Sequence, residues 1–226
     1  IMTLVQIGSG SANDDKFYKD GFTNFVIKNK KQKIIIIEAN SIHLKKLNKF
    51  WKFKKKLKIF NIAIIPDNIS LKKMTFFYSV KDKPNYQLFS SSKSFVKKHF
   101  PNEKIKKKIV ICSSISNFLK SQAIDKIDYL ALDIEGMDYD VLINFDLNKF
   151  KIKNISFEHL HLNFWEKIKI VLKLIRCGYF FSGMGFDLRK SDWMFTKNYQ
   201  LKRLRTFLLP ITPRRVWKKY SFSDQI

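Results

Sequence analysis

Short apolar runs alternate with longer segments of helical periodicity along most of the chain. The run KIIIIE at 33–38 is continuously β-branched, as a strand buried on both faces requires. Similar patterns predict further strands at 3–7, 57–65, 110–112, 129–133 and 152–158, and a final pair in YFFSGMG and DWMFTK. Helical segments are predicted within 12–30 and at 41–56, 114–120, 137–146 and 163–177. This alternation predicts a parallel α/β sheet with helices on both faces.

Three segments depart from the alternation. The run MTFFYSV at 74–80 predicts an extra edge strand or a hairpin, and the Lys- and Ser-rich stretch 81–108 predicts an insertion or lid. The last thirty residues are basic and contain Pro210 and Pro213, which is typical of a loosely packed tail. We therefore expect one domain over 1–197 and a basic C-terminal tail over 198–226.

Length and composition fit one globular domain. The chain has 226 residues, 45% of them hydrophobic, and its longest aliphatic run, at 34–37, is far too short to span a bilayer. Cys112 and Cys177 are the only cysteines, and their separation gives neither a disulfide framework nor a zinc site. These features predict a cytoplasmic location.

The charge is unusual, because 44 Lys and Arg face 19 acidic residues, a formal net charge of +25. Such a field favours anionic partners such as nucleic acid, phosphorylated or lipid-linked sugars, or an anionic membrane face. The lysines recur in almost every loop, however, and Lys, Ile, Asn and Phe are all common. We therefore interpret most of the excess as compositional bias on a solvated surface, which ranks nucleic acid below a small-molecule or glycan acceptor.

Two glycines follow the first predicted strand in LVQIGSGS, and Glu38 follows the second. Gly8 and Gly10 allow the backbone to pass close to a ligand, and Glu38 is placed to accept hydrogen bonds from a ribose diol. The third glycine of a dinucleotide pattern is missing. The alternative to a ligand-binding site is a tight turn between strand and helix, with Glu38 as an exposed acid.

A second candidate group lies in IDYLALDIEGMDYDVL, where a hydrophobic strand delivers Asp133 to the carboxyl edge of the sheet. Ligands bind at that edge in open α/β sheets. Capping of the following helix is an alternative explanation for Glu135 or Asp138, but it explains Asp133 less well.

FEHLHL supplies His159 and His161, which strand alternation would place on one side, with Glu158 on the other. Imidazole titrates in the range that a general base needs. Packing of one histidine beneath the following helix is the alternative. The carboxylates and histidine near this edge have no spacing diagnostic of a metal, so no metal is assigned.

The blocks VQIGSGS, IIIIEAN, NIAII, IDKIDYLALDIEGMDYDVL, ISFEHLHL and GY occur in this order. In these blocks the sequence resembles the FkbM family of S-adenosylmethionine-dependent methyltransferases, over residues 3 to about 197. The resemblance implies a Rossmann-like, mostly parallel seven-stranded sheet with an antiparallel last strand. It also implies methyl transfer to a hydroxyl of a carbohydrate, glycolipid or secondary metabolite.

The resemblance implies a cofactor site at the strand ends. Gly8 and Gly10 would line the methionine end, Glu38 would hold the ribose, and Ala39 and Asn40 would lie beside the adenine. The full set of expected cofactor-binding residues is Gln6, Gly8, Ser9, Gly10, Glu38, Ala39, Asn40, Ala63 and Asp133.

For catalysis, the expected residues are Asp133, His159 and His161, with one of them taking the acceptor proton. Relatives often have G-A-N-x-G after the first strand, whereas this chain has G-S-G-S-A. Gly10 thus replaces an asparagine and Ala12 a glycine, which removes one polar contact to the methionine moiety.

Three other functions compete with O-methylation. RNA methylation on the same cofactor is suggested by the charge, although no RNA-binding module is visible. A cofactor-binding protein without catalysis is suggested by the G-S-G-S-A departure. A nicotinamide dehydrogenase is disfavoured by the missing third glycine and by the DIEG block, residues 133–136.

Overall fold

The structure is a computed structural model, and it describes residues 1–11, 21–28, 32–82, 88–183 and 192–197. The strands are β1 Met2–Ile7, β2 Gln32–Ile37, β3 Leu57–Phe60, β4 Ala63–Ile65, β5 Lys73–Ser79, β6 Ile105–Ser114, β7 Lys126–Leu132, β8 Lys151–Glu158, β9 Phe180–Gly183 and β10 Asp192–Thr196. The α-helices are α1 Gly21–Lys28, α2 Leu44–Phe50, α3 Lys93–His99, α4 Ile115–Ser121, α5 Asp138–Asn144 and α6 Phe164–Arg176. The expected C-terminal tail, 198–226, lies outside the described residues, and so does Ala12.

Seven strands form the main sheet in the order β3-β2-β1-β7-β8-β10-β9. The pairs from β3 to β8 are parallel, and β10 runs antiparallel to both of its neighbours. This confirms the predicted mostly parallel sheet with an antiparallel last strand. Strand β1 lies between β2 and β7, so that both of these strands end beside it.

The β-branched run in β2 is buried on both faces of the sheet, as the sequence predicted. Ile35 and Ile37 belong to the larger core cluster, whereas Ile34 and Ile36 belong to a second cluster on the other face. Successive side chains of a strand point to opposite faces, so a strand between two helical layers needs apolar residues at every position.

The predicted strand over 57–65 is wrong as a single element. Strand β3 ends at Phe60, and β4 belongs to a separate three-stranded sheet, in which it pairs with β6. Between them, the side-chain amide of Asn61 donates to the carbonyl of Glu38, at 2.8 Å. Apolar residues lie on both sides of Asn61, and one polar residue within such a run does not by itself indicate the end of a strand.

The second sheet contains the segment that was predicted as an edge strand or hairpin. Strand β5 pairs antiparallel with β6, and the sheet order is β4-β6-β5. Strand β6 spans ten residues, much more than the predicted 110–112. The prediction was too short because the first half of the strand is rich in lysine and its outer face is exposed, so it lacks an apolar pattern. Helix α3 and the start of β6 therefore occupy much of the predicted insertion.

Helix α2 is shorter than the sequence pattern predicted, whereas helix α6 matches its prediction closely. Helix α2 stops at Phe50 and continues as a short 3-10 segment, Trp51–Phe53, rather than as a helix to residue 56. Helix α6 is close to its prediction and begins with a capping box between Asn163 and Glu166. No helix in the described part of the chain combines the length and hydropathy of a membrane span.

Candidate functional site

The central strand ends are joined by backbone hydrogen bonds at the carboxyl edge of the main sheet. The amide of Gly8 donates to the carbonyl of Ile37 at 2.9 Å, and the amide of Asp133 donates to the carbonyl of Ile7 at 3.0 Å. A cleft of about 390 Å³ opens above these ends. The fold therefore brings the two sequence motifs to one place, as expected for an open α/β sheet.

The glycines of the first loop serve different purposes. Gly8 has φ +81°, and a Cβ at this position would lie 1.6 Å from the carbonyl oxygen of Asp133. Gly10 has φ +54°, but a Cβ there would meet no atom within 4 Å. Gly8 is thus required by close backbone approach as well as by its left-handed conformation, whereas Gly10 is favoured by conformation alone.

Glu38 is buried and organises the loop in front of it. One carboxylate oxygen accepts from the amide of Gly10 at 2.8 Å, and the other accepts from the amide of Asn40 at 2.7 Å. Burial raises the pKa of Glu38 to about 7, although these backbone hydrogen bonds oppose the rise. The backbone of Ser9 also donates to this carboxylate. A carboxylate can accept about four hydrogen bonds, so Glu38 keeps some acceptor capacity for a ligand in the cleft.

Most of the expected cofactor-binding residues line this cleft. They are Gln6, Gly8, Ser9, Gly10, Glu38, Ala39, Ala63 and Asp133. Asn40 does not line it, because its side chain is fully buried and its Oδ1 accepts from the amide of Ile42, at 3.2 Å. Asn40 therefore shapes the turn after β2 rather than facing the cleft.

The loop after β7 gathers carboxyl groups beside the cleft. Burial, reinforced by the carboxylates of Asp133 and Glu158, raises the pKa of Glu135 to about 9. Asp138 is buried, and desolvation together with Asp133 raises its pKa to about 8. Near neutral pH Glu135 and Asp138 therefore carry protons. Asp133 differs from them in its environment, because it is exposed to solvent.

Asp138 has a local structural role that the capping alternative anticipated. It accepts from the amide of Ile134 at 3.3 Å, and it starts α5. Glu135 differs, because it adopts a left-handed φ of +50° and lines the cleft. Non-glycine residues rarely adopt this conformation, so the fold stabilises an unfavourable backbone at this position.

His161 and Glu158 form a pair in the cleft. Nε2 of His161 lies 3.2 Å from a carboxylate oxygen of Glu158, and both residues line the cleft. Burial, together with nearby His99 and Lys98, lowers the pKa of His161 below its ordinary value. The imidazole is therefore mostly neutral at pH 7, which is the state that a general base requires.

His159 lies elsewhere, which corrects the expectation that the two histidines share one side. Its ring is buried and stacks on Trp193, with centroids 4.5 Å apart, and it does not line the cleft. Strand β8 ends at Glu158, so the two-residue alternation does not continue through the following turn. The turn brings His161 back to the side of Glu158.

The second sheet and α3 cover one side of the DIEG loop. The hydroxyl of Ser90 donates to the carbonyl of Glu135 at 2.8 Å, and the ring of Phe95 contacts His161 edge-on, with centroids 4.9 Å apart. A Cβ on Gly136 would also meet the Phe95 ring, at 3.6 Å. The described part of the predicted insertion thus packs against the site.

Several cleft residues were not identified from the sequence. Glu158 was expected on the side opposite both histidines, whereas it pairs with His161 in the cleft. The other unidentified cleft residues belong to strands and turns without a polar motif. These additional lining residues include His43, Phe76, Phe89, Ser156 and Leu160. Ser156 could have been found, because it lies two residues before Glu158 in β8 and therefore on the same face.

A metal is not supported by the arrangement of side chains. Across the described ranges, no three His, Cys, Asp or Glu residues are grouped so as to hold a metal ion. His159, the imidazole that the sequence grouped with these carboxylates, does not line the cleft.

Solved methyltransferases resemble the chain at low sequence identity. A candidate RNA methyltransferase from Pyrococcus horikoshii aligns with a TM-score of 0.41 and 11% identity, covering 86% of this chain and 74% of that one. Fibrillarin from Aeropyrum pernix, solved with natively bound S-adenosylmethionine, gives 0.43 and 8%, covering 86% and 65%. The METTL16 methyltransferase domain gives 0.46 and 10%, covering 87% and 60%. This chain therefore spans less than two thirds of the length of the fibrillarin and METTL16 chains.

The family comparison gives a more specific result. A search of curated proteins finds no match. The family described as Methyltransferase FkbM domain, however, matches residues 9–181, which begin directly after Gly8 and include Gly10, Glu38, the DIEG block and the His161–Glu158 pair. The chain therefore belongs to the FkbM family of S-adenosylmethionine-dependent methyltransferases.

Proposed function

We propose that this protein transfers a methyl group from S-adenosylmethionine to a hydroxyl of an uncharged acceptor, in the class of carbohydrates, glycolipids and secondary metabolites. The observation that carries the proposal is the His161–Glu158 pair in the same cleft as Glu38 and Asp133. A base and a cofactor-type carboxylate thus face a single space.

The residues present fit the cofactor. The cleft volume of about 390 Å³ lies within the range of roughly 300–1,000 Å³ usual for small-molecule sites. Glu38 would hold the ribose hydroxyls, and the loop of Gly8 and Gly10 would face the methionine end. Ala39 and Ala63 offer apolar contact for the adenine. When bound, the cofactor supplies a methyl group activated by a positively charged sulfur.

His161 is the best-placed proton acceptor for an alcohol. With the proton on Nε2 donated toward Glu158, Nδ1 is left with a lone pair, and Glu158 fixes the ring orientation. Such positioning, together with general-base assistance, supplies most of the rate that an alcohol methylation needs. Asp133, exposed at the edge of the cleft, is the second candidate base and is also placed to accept a hydrogen bond from the acceptor.

The acceptor class follows from the charge around the cleft. Asp133 and Glu158 line it, so an acceptor phosphate entering here meets acidic side chains in spite of the net charge of +25. An uncharged hydroxyl-bearing acceptor avoids this repulsion. RNA methylation remains the alternative that the overall charge favours, because phosphates could bind lysines outside the cleft.

Transfer of radiolabelled methyl from S-adenosylmethionine to a panel of neutral glycans, glycolipids and structured RNA tests the proposal. We expect label on a hydroxyl of a neutral acceptor and none on RNA at physiological salt. Label on RNA would replace the proposal with the RNA alternative. Cofactor binding by calorimetry without transfer to any acceptor would favour a protein that binds the cofactor but does not catalyse.

A further inference from the structure

Helix α6 has two apolar faces, although a surface helix needs only one. Ile170 and Leu174 are fully buried against the main core. At 100° per residue, a second set projects on the opposite side. This outer face consists of Phe164, Trp165, Ile168, Leu172 and Ile175.

The outer face is a continuous, exposed stripe. Phe164 and Trp165 are 68% and 67% exposed, and Leu172 and Ile175 are 46% and 50% exposed. The stripe runs for roughly 16 Å along the helix, given 1.5 Å of rise per residue. Single exposed apolar residues need no explanation, but a contiguous stripe with two aromatic rings indicates an interaction surface.

Cations border the stripe on both sides. Lys169 and Arg176 are exposed along one edge, and Lys167 lies along the other. The only acidic residue of α6 is Glu166, and its carboxylate accepts from the amide of Asn163 in the capping box, at 2.8 Å. Aromatic and aliphatic residues between Lys and Arg are typical of helices that lie in the headgroup region of a bilayer.

We propose that the outer face of α6 docks on an anionic phospholipid surface, with Phe164 and Trp165 inserted and the flanking cations near the headgroups. A second copy of this chain fits less well, because two chains of net charge +25 repel each other. RNA also fits less well, because the aliphatic side chains of Leu172 and Ile175 offer it neither stacking nor hydrogen bonds.

The position of the stripe relative to the cleft gives the docking a consequence. Leu160 and His161 line the cleft and precede α6 by only a few residues, and Leu160 is itself 52% exposed. A membrane contacting the start of α6 therefore lies beside the cleft opening. The docking itself does not depend on methyl transfer, and its test requires neither cofactor nor turnover.

Vesicle flotation tests the proposal with two lipid compositions, phosphatidylcholine alone and phosphatidylcholine mixed with phosphatidylglycerol. We expect the protein to float only with the anionic vesicles. The variant Trp165→Ser/Leu172→Ser should reduce partitioning about tenfold or more, since both side chains lose apolar contact with lipid. Lys169→Gln should reduce it about fivefold, as expected for one cation near an anionic surface.

The matched control is Ile109→Ser/Ile111→Ser, which removes two equally exposed aliphatic residues from β6 and should float like the wild type. Quenching of tryptophan fluorescence by brominated lipid should fall clearly in Trp165→Phe while flotation is retained, because Trp51 and Trp193 are buried. Flotation that is equal in the α6 variant and the wild type would overturn the proposal. So would a dimer in solution that Trp165→Ser/Leu172→Ser converts to a monomer, because the stripe would then cover a second copy.

Discussion

The backbone of Gly8 packs directly against the backbone of Asp133. Any side chain at Gly8 would overlap the Asp133 carbonyl, because the nearest distance from an added Cβ is only 1.6 Å. The glycine loop and the DIEG loop, 125 residues apart, are therefore fixed against each other by main-chain contact. Whatever binds over the glycine loop lies beside the Asp133 side chain.

Alanine substitutions should separate close contact from conformation. We expect Gly8→Ala to lower the free energy of unfolding by about 3 kcal/mol or more, because strands β1 and β7 must move apart. Gly10→Ala is the matched control: it shares a positive φ but faces open space, so it should cost only about 1–2 kcal/mol. Urea denaturation measures both, and equal losses would contradict the close-contact role of Gly8.

Glu38→Ala should weaken S-adenosylmethionine binding about a hundredfold or more in calorimetry. The variant removes the carboxylate that we propose accepts charge-assisted hydrogen bonds from the ribose, each worth roughly 1.5–3 kcal/mol before compensation by water, and it releases the Gly10 amide. Unchanged affinity would refute the ribose assignment.

Calorimetry near pH 7 gives a second measure of Glu38. Its pKa is raised to about 7, so part of the population is protonated there, and hydroxyl donors in the cleft favour the ionised form. We therefore expect proton release on cofactor binding, seen as a dependence of the binding enthalpy on the buffer. Glu38→Gln keeps the shape of the side chain but cannot titrate, so the dependence should disappear in that variant.

His161→Gln should lower kcat about a hundredfold or more, the usual scale for a lost general base, with little change in cofactor affinity. Asp133→Asn should raise the acceptor KM if Asp133 orients the acceptor, and should lower kcat instead if Asp133 is the base. His159→Gln is the control within the same segment, and it should leave kcat unchanged if the variant folds. Wild-type turnover in both His161→Gln and Asp133→Asn would show that the active site has been placed wrongly.

Stability should fall as pH rises through the neutral range. The pKa values of Glu135 and Asp138 are raised to about 9 and about 8, so the folded state binds protons that the unfolded state releases near pH 4. The free energy of unfolding therefore declines from about pH 4 until the pH has passed both of these folded-state pKa values, above which both groups are ionised in either state. Thermal melts across this range measure the slope.

Removing the titrating groups should flatten this pH dependence. Glu135→Gln and Asp138→Asn each eliminate one buried carboxyl, so their melting temperatures should change less between pH 5 and pH 8. Asp146→Asn is the contrasting control, because Asp146 is a surface carboxylate whose pKa is lowered through hydrogen bonding to Lys149. A wild-type slope in both buried-site variants would mean that other groups carry the linkage.

The regular parts of the fold could be predicted because hydrophobic periodicity and the order of strands and helices along the chain can be read directly from the sequence. The all-apolar run of β2 predicted a strand buried on both faces, and the order of strands and helices predicted the parallel sheet. The break at Asn61 could not be predicted, since apolar residues lie on both sides of it, and the full length of β6 could not be predicted, since its first half is rich in lysine.

The sequence by itself determined the chemistry available at the strand ends: Gly8, Gly10, Glu38 and Asp133, each placed where a strand ends. Only the tertiary structure decided which histidine faces the cleft, because strand alternation stops at Glu158 and the following turn sets the directions. It likewise decided the protonation of Glu135 and Asp138, since a pKa depends on burial and on carboxylates that the fold brings together. Residue type is written in the chain, whereas desolvation and proximity exist only after folding.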